Sequence, residues 1–323
     1  MDGERDGGGG RMVRREEILA ARPDLGASWD AADAAFPIRV TRSFWARADA
    51  SDPADPLLRQ VLPDPAELIP DPGDVPDPVG DAARSPVPWV VCKHRDRVLL
   101  LVTKRCHLYC RYCFRRDHSP GEGLDPTDAE LDRAIDWIAA RAPREVILSG
   151  GDPLALALPR LDEVLRRVSA FARTVRVHTR APITYPAAVT PALVAALRAH
   201  RPTWVVVHCN HPRELAPDVT AALARLVDAG VPVLNQSVLL RGVNDDPDVL
   251  AALSEALLER RVHPYYLHVT DRVPGNAHLR VGREEAVALH RALAARTGGT
   301  ALPRLVLDPP DGSGKVDAAT WSG

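Results

Sequence analysis

No apolar run in this 323-residue chain approaches the roughly 20 residues needed to cross a bilayer. The opening stretch MDGERDGGGGR also lacks the apolar centre of a secretion signal. A membrane span and an export signal are therefore not expected, and the cytoplasm is the expected location. Positive charge is not in excess either. The formal net charge is −2, with arginines scattered among Asp and Glu, so nothing draws the chain to phosphate backbones or anionic lipid. Neither nucleic acid nor a membrane is an expected partner. Cysteine is scarce, five residues with three of them clustered, which suits reduced thiols that bind something better than the disulfide framework of a small secreted domain. What is present, 46% hydrophobic and 26% charged residues, suffices for a globular protein with a substantial core.

The organisation falls into segments. Residues 1–35 open with a glycine run and few apolar residues, and are expected to be flexible. Residues 36–92 include a stretch dense in Pro and Asp, PADPLLRQVLPDPAELIPDPGDVPDPVGD, which blocks long helices and favours an extended segment wrapping a neighbour. Leu57, Leu58, Val61, Leu62, Leu68 and Ile69 give that extension something to bury. The core is expected over 93–318, followed by a short tail at 319–323.

From Arg97 onward short β-branched or leucine-rich runs alternate with amphipathic helices. The runs are RVLLLVT, EVILSGG, TVRVHTR, WVVVHCN, VPVLNQSVLL and YYLHVTD. TDAELDRAIDWIAARA begins with a capping box, Thr127 and Glu130, and sets Leu131, Ile135 and Ile138 on one face. Leu161, Val164, Leu165 and Val168 repeat the spacing in the next helix. Six strands joined by helices predict an α/β fold with a parallel sheet, either a partial six-unit barrel or an open sheet, short of the eight units of a closed one. Nearly every strand ends in polar groups: Thr103 and Lys104, Gly150 to Asp152, Arg180, His208 and Asn210, Asn235 and Gln236, and Asp271. Active sites of parallel α/β folds lie at the carboxyl ends of the strands, so these groups are expected to ring one mouth.

CHLYCRYCFRRD places Cys106, Cys110 and Cys113 directly after the first core strand. Three soft ligands suit zinc, with His107, His118 or Cys209 as a fourth, or an iron–sulfur cluster that keeps one iron open. A Cys-x-x-Cys redox pair is a third reading. The Cys-x-x-x-Cys-x-x-Cys spacing, with Tyr112 before the last cysteine, resembles the radical S-adenosylmethionine (SAM) enzymes, and LSGGDPL at the second strand end strengthens the likeness. That resemblance implies a barrel of radical SAM type and a 4Fe-4S cluster. Its open iron is chelated by S-adenosylmethionine, which is cleaved to a 5′-deoxyadenosyl radical, with Gly150, Gly151 and Asp152 at the nucleotide's amino group.

SPVPWVVCKHRDRVLLLVTKRCHLYCRYCFRR, HCNHPREL, NQSVLLRGVND, PYYLHVTD and LDPPDGSGK narrow the likeness. Over residues 55–318 they resemble lysine 2,3-aminomutase and its relatives, including the shorter enzymes that isomerise lysine for modification of elongation factor P. The resemblance implies pyridoxal 5′-phosphate as a second cofactor, with Lys315 carrying its aldehyde and Arg97 and Lys93 its phosphate. It further implies Arg115 on the substrate's α-carboxylate, Asp271 and Asp308 on the ε-ammonium, and His208 and Gln236 at the nucleotide with Asn210 beside them. The expected activity is that of an isomerase converting L-lysine to β-lysine. The electron would come from a donor such as flavodoxin or ferredoxin. Two departures stand out. No cysteine follows Cys209, so the C-terminal zinc cluster of the longer family members is absent, and the oligomeric state is open. Asp311 and Ser313 interrupt a stretch that is all glycine in the family; Asp311 offers an anion for a guanidinium, which keeps arginine open as a substrate. A zinc-stabilised binding protein without catalysis is the alternative of a different class.

Overall fold

The computed structural model describes residues 12–116, 121–200 and 203–322. One sheet of nine strands runs in chain order: β1 (Val90–Val91), β2 (Arg97–Thr103), β3 (Glu145–Gly150), β4 (Thr174–His178), β5 (Thr203–Val207), β6 (Val233–Val238), β7 (His263–His268), β8 (Arg304–Leu307) and β9 (Val316–Asp317). Neighbours from β2 to β8 pair in parallel, while β1 and β9 are short antiparallel edges. The six expected strands are present, and β8 adds a seventh parallel one whose four residues are too few to show a period. The sheet curls around a cavity of about 1360 Å³ lined from Arg97 on β2 to Asp308 after β8, which makes the fold a partial barrel.

Short helices α1 (Arg15–Ala21), α2 (Trp29–Ala35) and α3 (Arg42–Trp45) precede the sheet. The larger helices α4 (Asp128–Arg141) and α5 (Leu158–Ser169), short α6 (Ala181–Thr184), then α7 (Pro191–Ala199), α8 (Pro217–Asp228), α9 (Pro247–Glu259) and α10 (Arg283–Ala294) follow successive strands. The capping box of α4 forms as expected: Glu130 N donates to Thr127 Oγ1 at 3.3 Å and Thr127 N to Glu130 Oε2 at 2.8 Å. Leu131, Ile135 and Ile138 of α4 and Leu161, Val164, Leu165 and Val168 of α5 pack on the sheet in one core.

The N-terminal part differs from expectation. Residues 12–35 are folded, because Ile18, Leu25 and Trp29 bury against Phe44, Leu57, Leu58, Val61 and Leu62 in a second core. A segment with few apolar residues needs only these few when another segment supplies the other half. Residues 1–11 lie outside the described residues. Within the extension Leu68 and Ile69 stay 42% and 65% exposed, contrary to the expectation that they would be buried. They close a single-turn 3-10 helix, Pro65–Leu68, whose inward side chain is Glu67. The C-terminal tail is pinned as far as it is described: Arg283 of α10 donates to the carbonyls of Ala318 and Trp321.

This second core positions the cysteine loop. Leu108 belongs to it. The loop's backbone is tied to the extension by Tyr109 N to Arg39 O at 3.1 Å and Arg111 N to Gln60 O at 2.8 Å. The guanidinium of Arg111, between two of the cysteines, is fully buried against Glu67, with Nε to Oε1 at 2.9 Å and Nη1 to the Phe36 carbonyl at 2.8 Å. The extension thus clamps the loop, beyond wrapping the barrel.

Candidate active site

Cys106, Cys110 and Cys113 line the cavity just beyond the end of β2. Burial pushes the Cys106 thiol well up, helped by Asp152 and Cys113, and pushes Cys113 to about 11, helped by Cys110. A thiol raised by burial is a weak nucleophile, so Cys113 is not the activated member of a Cys-x-x-Cys redox pair. The zinc reading fares no better. His107 stacks on Tyr185 with centroids 4.9 Å apart, Cys209 is buried in the core with its thiol directed to the His211 carbonyl, and His118 lies outside the described residues. Among the described residues no three His, Cys, Asp or Glu side chains converge on a single-ion site. A cluster instead takes each thiolate on a different iron, and all three cysteines line the same cavity.

The turn after β3 comes close to the start of this loop. Gly150 has φ +118°, and a Cβ there would strike the Thr103 carbonyl; one on Gly151 would strike the Arg105 carbonyl. Gly151 N and Asp152 N bond to those two carbonyls, each at 2.7 Å. Asp152, 4% exposed, is a strut between strands. Its carboxylate accepts from Leu154 N at 2.9 Å, Thr179 Oγ1 at 2.6 Å and Arg180 N at 2.9 Å. His208 and Gln236, at the ends of β5 and β6, face the cavity, and burial holds His208 well below the usual imidazole range. Asn210 does not line the cavity: its amide donates to Tyr112 Oη at 2.8 Å and Gln60 Oε1 at 3.0 Å, and its oxygen accepts from Val238 N. Thr103 and Asn235, expected at the mouth, are likewise engaged, with Asp125 and with the backbone of Cys209.

Charged groups also gather around the cavity. Lys315 Nζ lies 2.7 Å from Asp308 Oδ2. Among the described residues no side chain is hydrogen-bonded to the Asp271 carboxylate, and burial, with the Asp308 charge beside it, raises it to about 7. Arg115 donates to Asp81 Oδ2 from Nε at 3.1 Å and Nη2 at 2.9 Å, while Lys93 Nζ lies 2.9 Å from the other oxygen of Asp81. Burial alone would raise Asp81, but Arg115 and Lys93 overcome it and hold the carboxyl at about 2. Arg97 lines the cavity at the start of β2 and contacts Asp96 at 3.2 Å. Asp311 is turned away onto its own loop, accepting from Ser313 N at 2.8 Å, and does not line the cavity. The loop reaches Lys315 through Gly314, φ +86°, where a Cβ would collide with the His94 ring.

Over residues 100–253 the chain matches the Radical SAM superfamily. It is 40% identical over 294 residues to the L-lysine 2,3-aminomutase of Escherichia coli (strain K12), covering 90% of this chain and 83% of that one. The chain belongs to the lysine 2,3-aminomutase family. It is also 38% identical over 281 residues to the L-lysine 2,3-aminomutase of Clostridium subterminale, covering 86% of this chain and 67% of that longer one. Among solved structures it is similar to a radical SAM methyltransferase from Sphaerobacter thermophilus, with TM-score 0.49, 20% identity and 68% of each chain covered. As a member of a radical SAM family the chain takes S-adenosylmethionine and an iron–sulfur cluster. No helix among the described residues is long and apolar enough to cross a membrane.

Four residues at this family site escape a reading of the sequence. Asp81 joins Arg115 to Lys93 from inside the Pro/Asp-rich extension, where nothing sets it apart from its acidic neighbours. His94 lies beneath the glycine loop next to Lys93. His178 and His268, on β4 and β7, line the cavity with buried Nε2 atoms that have no protein partner. Burial keeps both neutral, His268 at about 3. Such orphaned polar atoms fit a cavity that takes a polar cofactor. Only the His178 and His268 positions, at strand ends, carried a readable signal.

Proposed function

We propose that the protein is a radical SAM, pyridoxal-phosphate-dependent aminomutase that converts L-lysine to β-lysine. One observation carries the substrate assignment: Asp308 already holds a primary ammonium, that of Lys315, at 2.7 Å, with Asp271 beside it. Asp271, raised to about 7, lacks a cation of its own, and the ε-ammonium of lysine would supply one. Relatives named L-lysine 2,3-aminomutase at 38% and 40% identity support the same reaction.

Cys106, Cys110 and Cys113 would hold the cluster, Gly150, Gly151, Asp152, His208 and Gln236 the nucleotide, Lys315 the aldehyde, and Lys93, His94 and Arg97 the phosphate. When bound, the cluster and nucleotide would supply a carbon radical that takes a hydrogen atom, and pyridoxal phosphate would supply a conjugated ring that delocalises the unpaired electron while the substrate nitrogen moves between adjacent carbons. The chain's own work is to hold the substrate at both ends. Arg115, kept planar and aimed by Asp81, takes the α-carboxylate through two parallel hydrogen bonds, and Asp271 with Asp308 takes the far ammonium. Fixing both ends sets Cα and Cβ against the radical source and removes the freedom a flexible side chain would otherwise retain. A low-potential one-electron donor such as flavodoxin or ferredoxin would reduce the cluster. Arginine is the less favoured substrate, since Asp311, the extra anion it would use, faces its own loop.

The test is anaerobic turnover by reconstituted protein with S-adenosylmethionine, pyridoxal phosphate and dithionite, offered lysine and arginine separately, with products resolved by mass spectrometry. β-Lysine from lysine is expected. β-Arginine alone would move the substrate, and nucleotide cleavage without either product would overturn the substrate assignment and leave another radical SAM amino-acid isomerase. Zinc at about one per chain in place of iron would favour the non-catalytic alternative.

A further inference from the structure

Arg180, two residues past β4, is 8% exposed and reaches the cysteine loop from across the barrel. Its Nη1 donates to Cys110 Sγ at 2.8 Å. Its Nη2 donates to Gln60 Oε1 at 2.6 Å and Glu214 Oε2 at 3.1 Å, and its Nε to the His208 carbonyl at 3.3 Å. The guanidinium also lies 5.5 Å from the ring centroids of both Phe44 and Tyr112. Glu214 is fully buried, and its other oxygen accepts from Asn210 N at 3.0 Å, His211 N at 3.0 Å and Gln60 Nε2 at 3.1 Å. The arginine therefore has one orientation. Three separate elements fix it: the N-terminal extension, the segment after β5, and the aromatic ring between two of the cysteines.

We propose that Arg180, aimed at Cys110 Sγ by Glu214 and Gln60, is a positioning residue that sets the reduction potential of the cluster held by Cys106, Cys110 and Cys113. Reduction adds one electron from an external donor to the oxidised cluster, so the cluster and its thiolates become one charge more negative and no bond is broken. A cation donating a hydrogen bond to a ligating sulfur stabilises that added charge more than it stabilises the oxidised form, and hydrogen bonds to the sulfurs are among the determinants of cluster potential. Exclusion of water keeps the effect from being screened. Glu214 acts in the opposite sense, offsetting part of the guanidinium charge. The pair thus places the potential between two limits: high enough for a donor to load the electron, and low enough for the cluster to pass it to the sulfonium.

The test is a redox titration of the anaerobically reconstituted full-length protein, without nucleotide, followed by electron paramagnetic resonance of the reduced cluster, with iron and sulfide measured in each sample. In Arg180→Gln the ratio of reduced to oxidised cluster, read at the wild-type midpoint, is expected to fall about tenfold, the worth of a charge-assisted hydrogen bond. In Glu214→Gln, where the amide oxygen still accepts from the backbone, the same ratio is expected to rise. Arg180→Lys, which keeps the charge and loses the fork, is expected to fall between wild type and Arg180→Gln. Opposite shifts in the glutamine variants support the assignment. Unchanged midpoints, or shifts of one sign, would reduce Arg180 to a tie between β4 and the extension and overturn it. If Arg180→Gln fails to fold or to retain iron, Glu214→Gln decides alone: a rise supports the proposal and an unchanged midpoint refutes it.

Discussion

The Arg111–Glu67 pair beside Cys110 and Cys113 is buried and locked, whereas the Lys315–Asp308 pair is partly exposed and can be replaced by a ligand. Arg111 and Glu67 are 0% and 1% exposed at their side chains, while Lys315 and Asp308 are 32% and 14%. Arg111, Glu67, Arg180, Glu214, Gln60, Asn210 and Tyr112 form a scaffold that joins the extension to the barrel. At the other pair Lys315 occupies Asp308, and Asp271 waits near neutrality. The difference follows from what each end must do. A loop that holds a metal cluster must not move, because breaking a buried ion pair leaves an uncompensated charge and is therefore rare. A pocket that exchanges substrate needs charges whose pairing costs little to open.

The sharpest way to break this contrast is Arg111→Ala. It strands the Glu67 carboxylate in a dry site, and a loss of about 3–5 kcal/mol in unfolding free energy is expected by urea titration. A loss below about 1 kcal/mol would mean that the cysteine loop is not anchored through this pair. At the substrate end, Asp81→Asn removes the charge that aims Arg115. The lysine kcat/KM is expected to fall about ten- to a hundredfold, mostly through KM, with the iron content unchanged. Equal loss of iron would show that the two ends are not independent.

A gentler probe is pH. Burial and the neighbouring Asp308 charge raise Asp271 to about 7, so it is neutral below that pH and anionic above it. Since the anion is the form that binds an ammonium, the lysine kcat/KM should rise about tenfold per pH unit up to about 7 and then level off. Asp271→Asn should flatten that limb while lowering the plateau. A slope that survives the substitution would assign the titration to another group.

Much of this molecule is legible from its residues because the relevant signals are local. The capping box at Thr127, the apolar spacing of α4 and α5 and the cysteine triplet each lie within one turn or one loop, where steric and hydrogen-bond preferences act over a few residues. The glycines at 150 and 151 are local too, though what they make room for, the carbonyls of Thr103 and Arg105, comes from another strand. The folding of residues 12–35 was not legible, because half of its core comes from residues 40–62. Nor was the exposure of Leu68 and Ile69, which depends on Glu67 being drawn inward by Arg111 some 44 residues away. Asn210 and Arg180 look alike in the sequence as polar residues past strand ends. One braces the scaffold from behind the cavity wall and the other touches Cys110.

The sequence by itself determined the alternation of strands and helices, the kind of cofactor the cysteine spacing takes, and the end of the barrel where chemistry gathers, since each is written in short-range pattern. Only the tertiary structure decided which charges meet. Asp81 finds Arg115, Lys315 finds Asp308 and Glu214 finds Arg180 across separations of 34, 7 and 34 residues. Electrostatic pairing in a buried site depends on distance and dielectric in three dimensions, and neither is carried by the order of the residues.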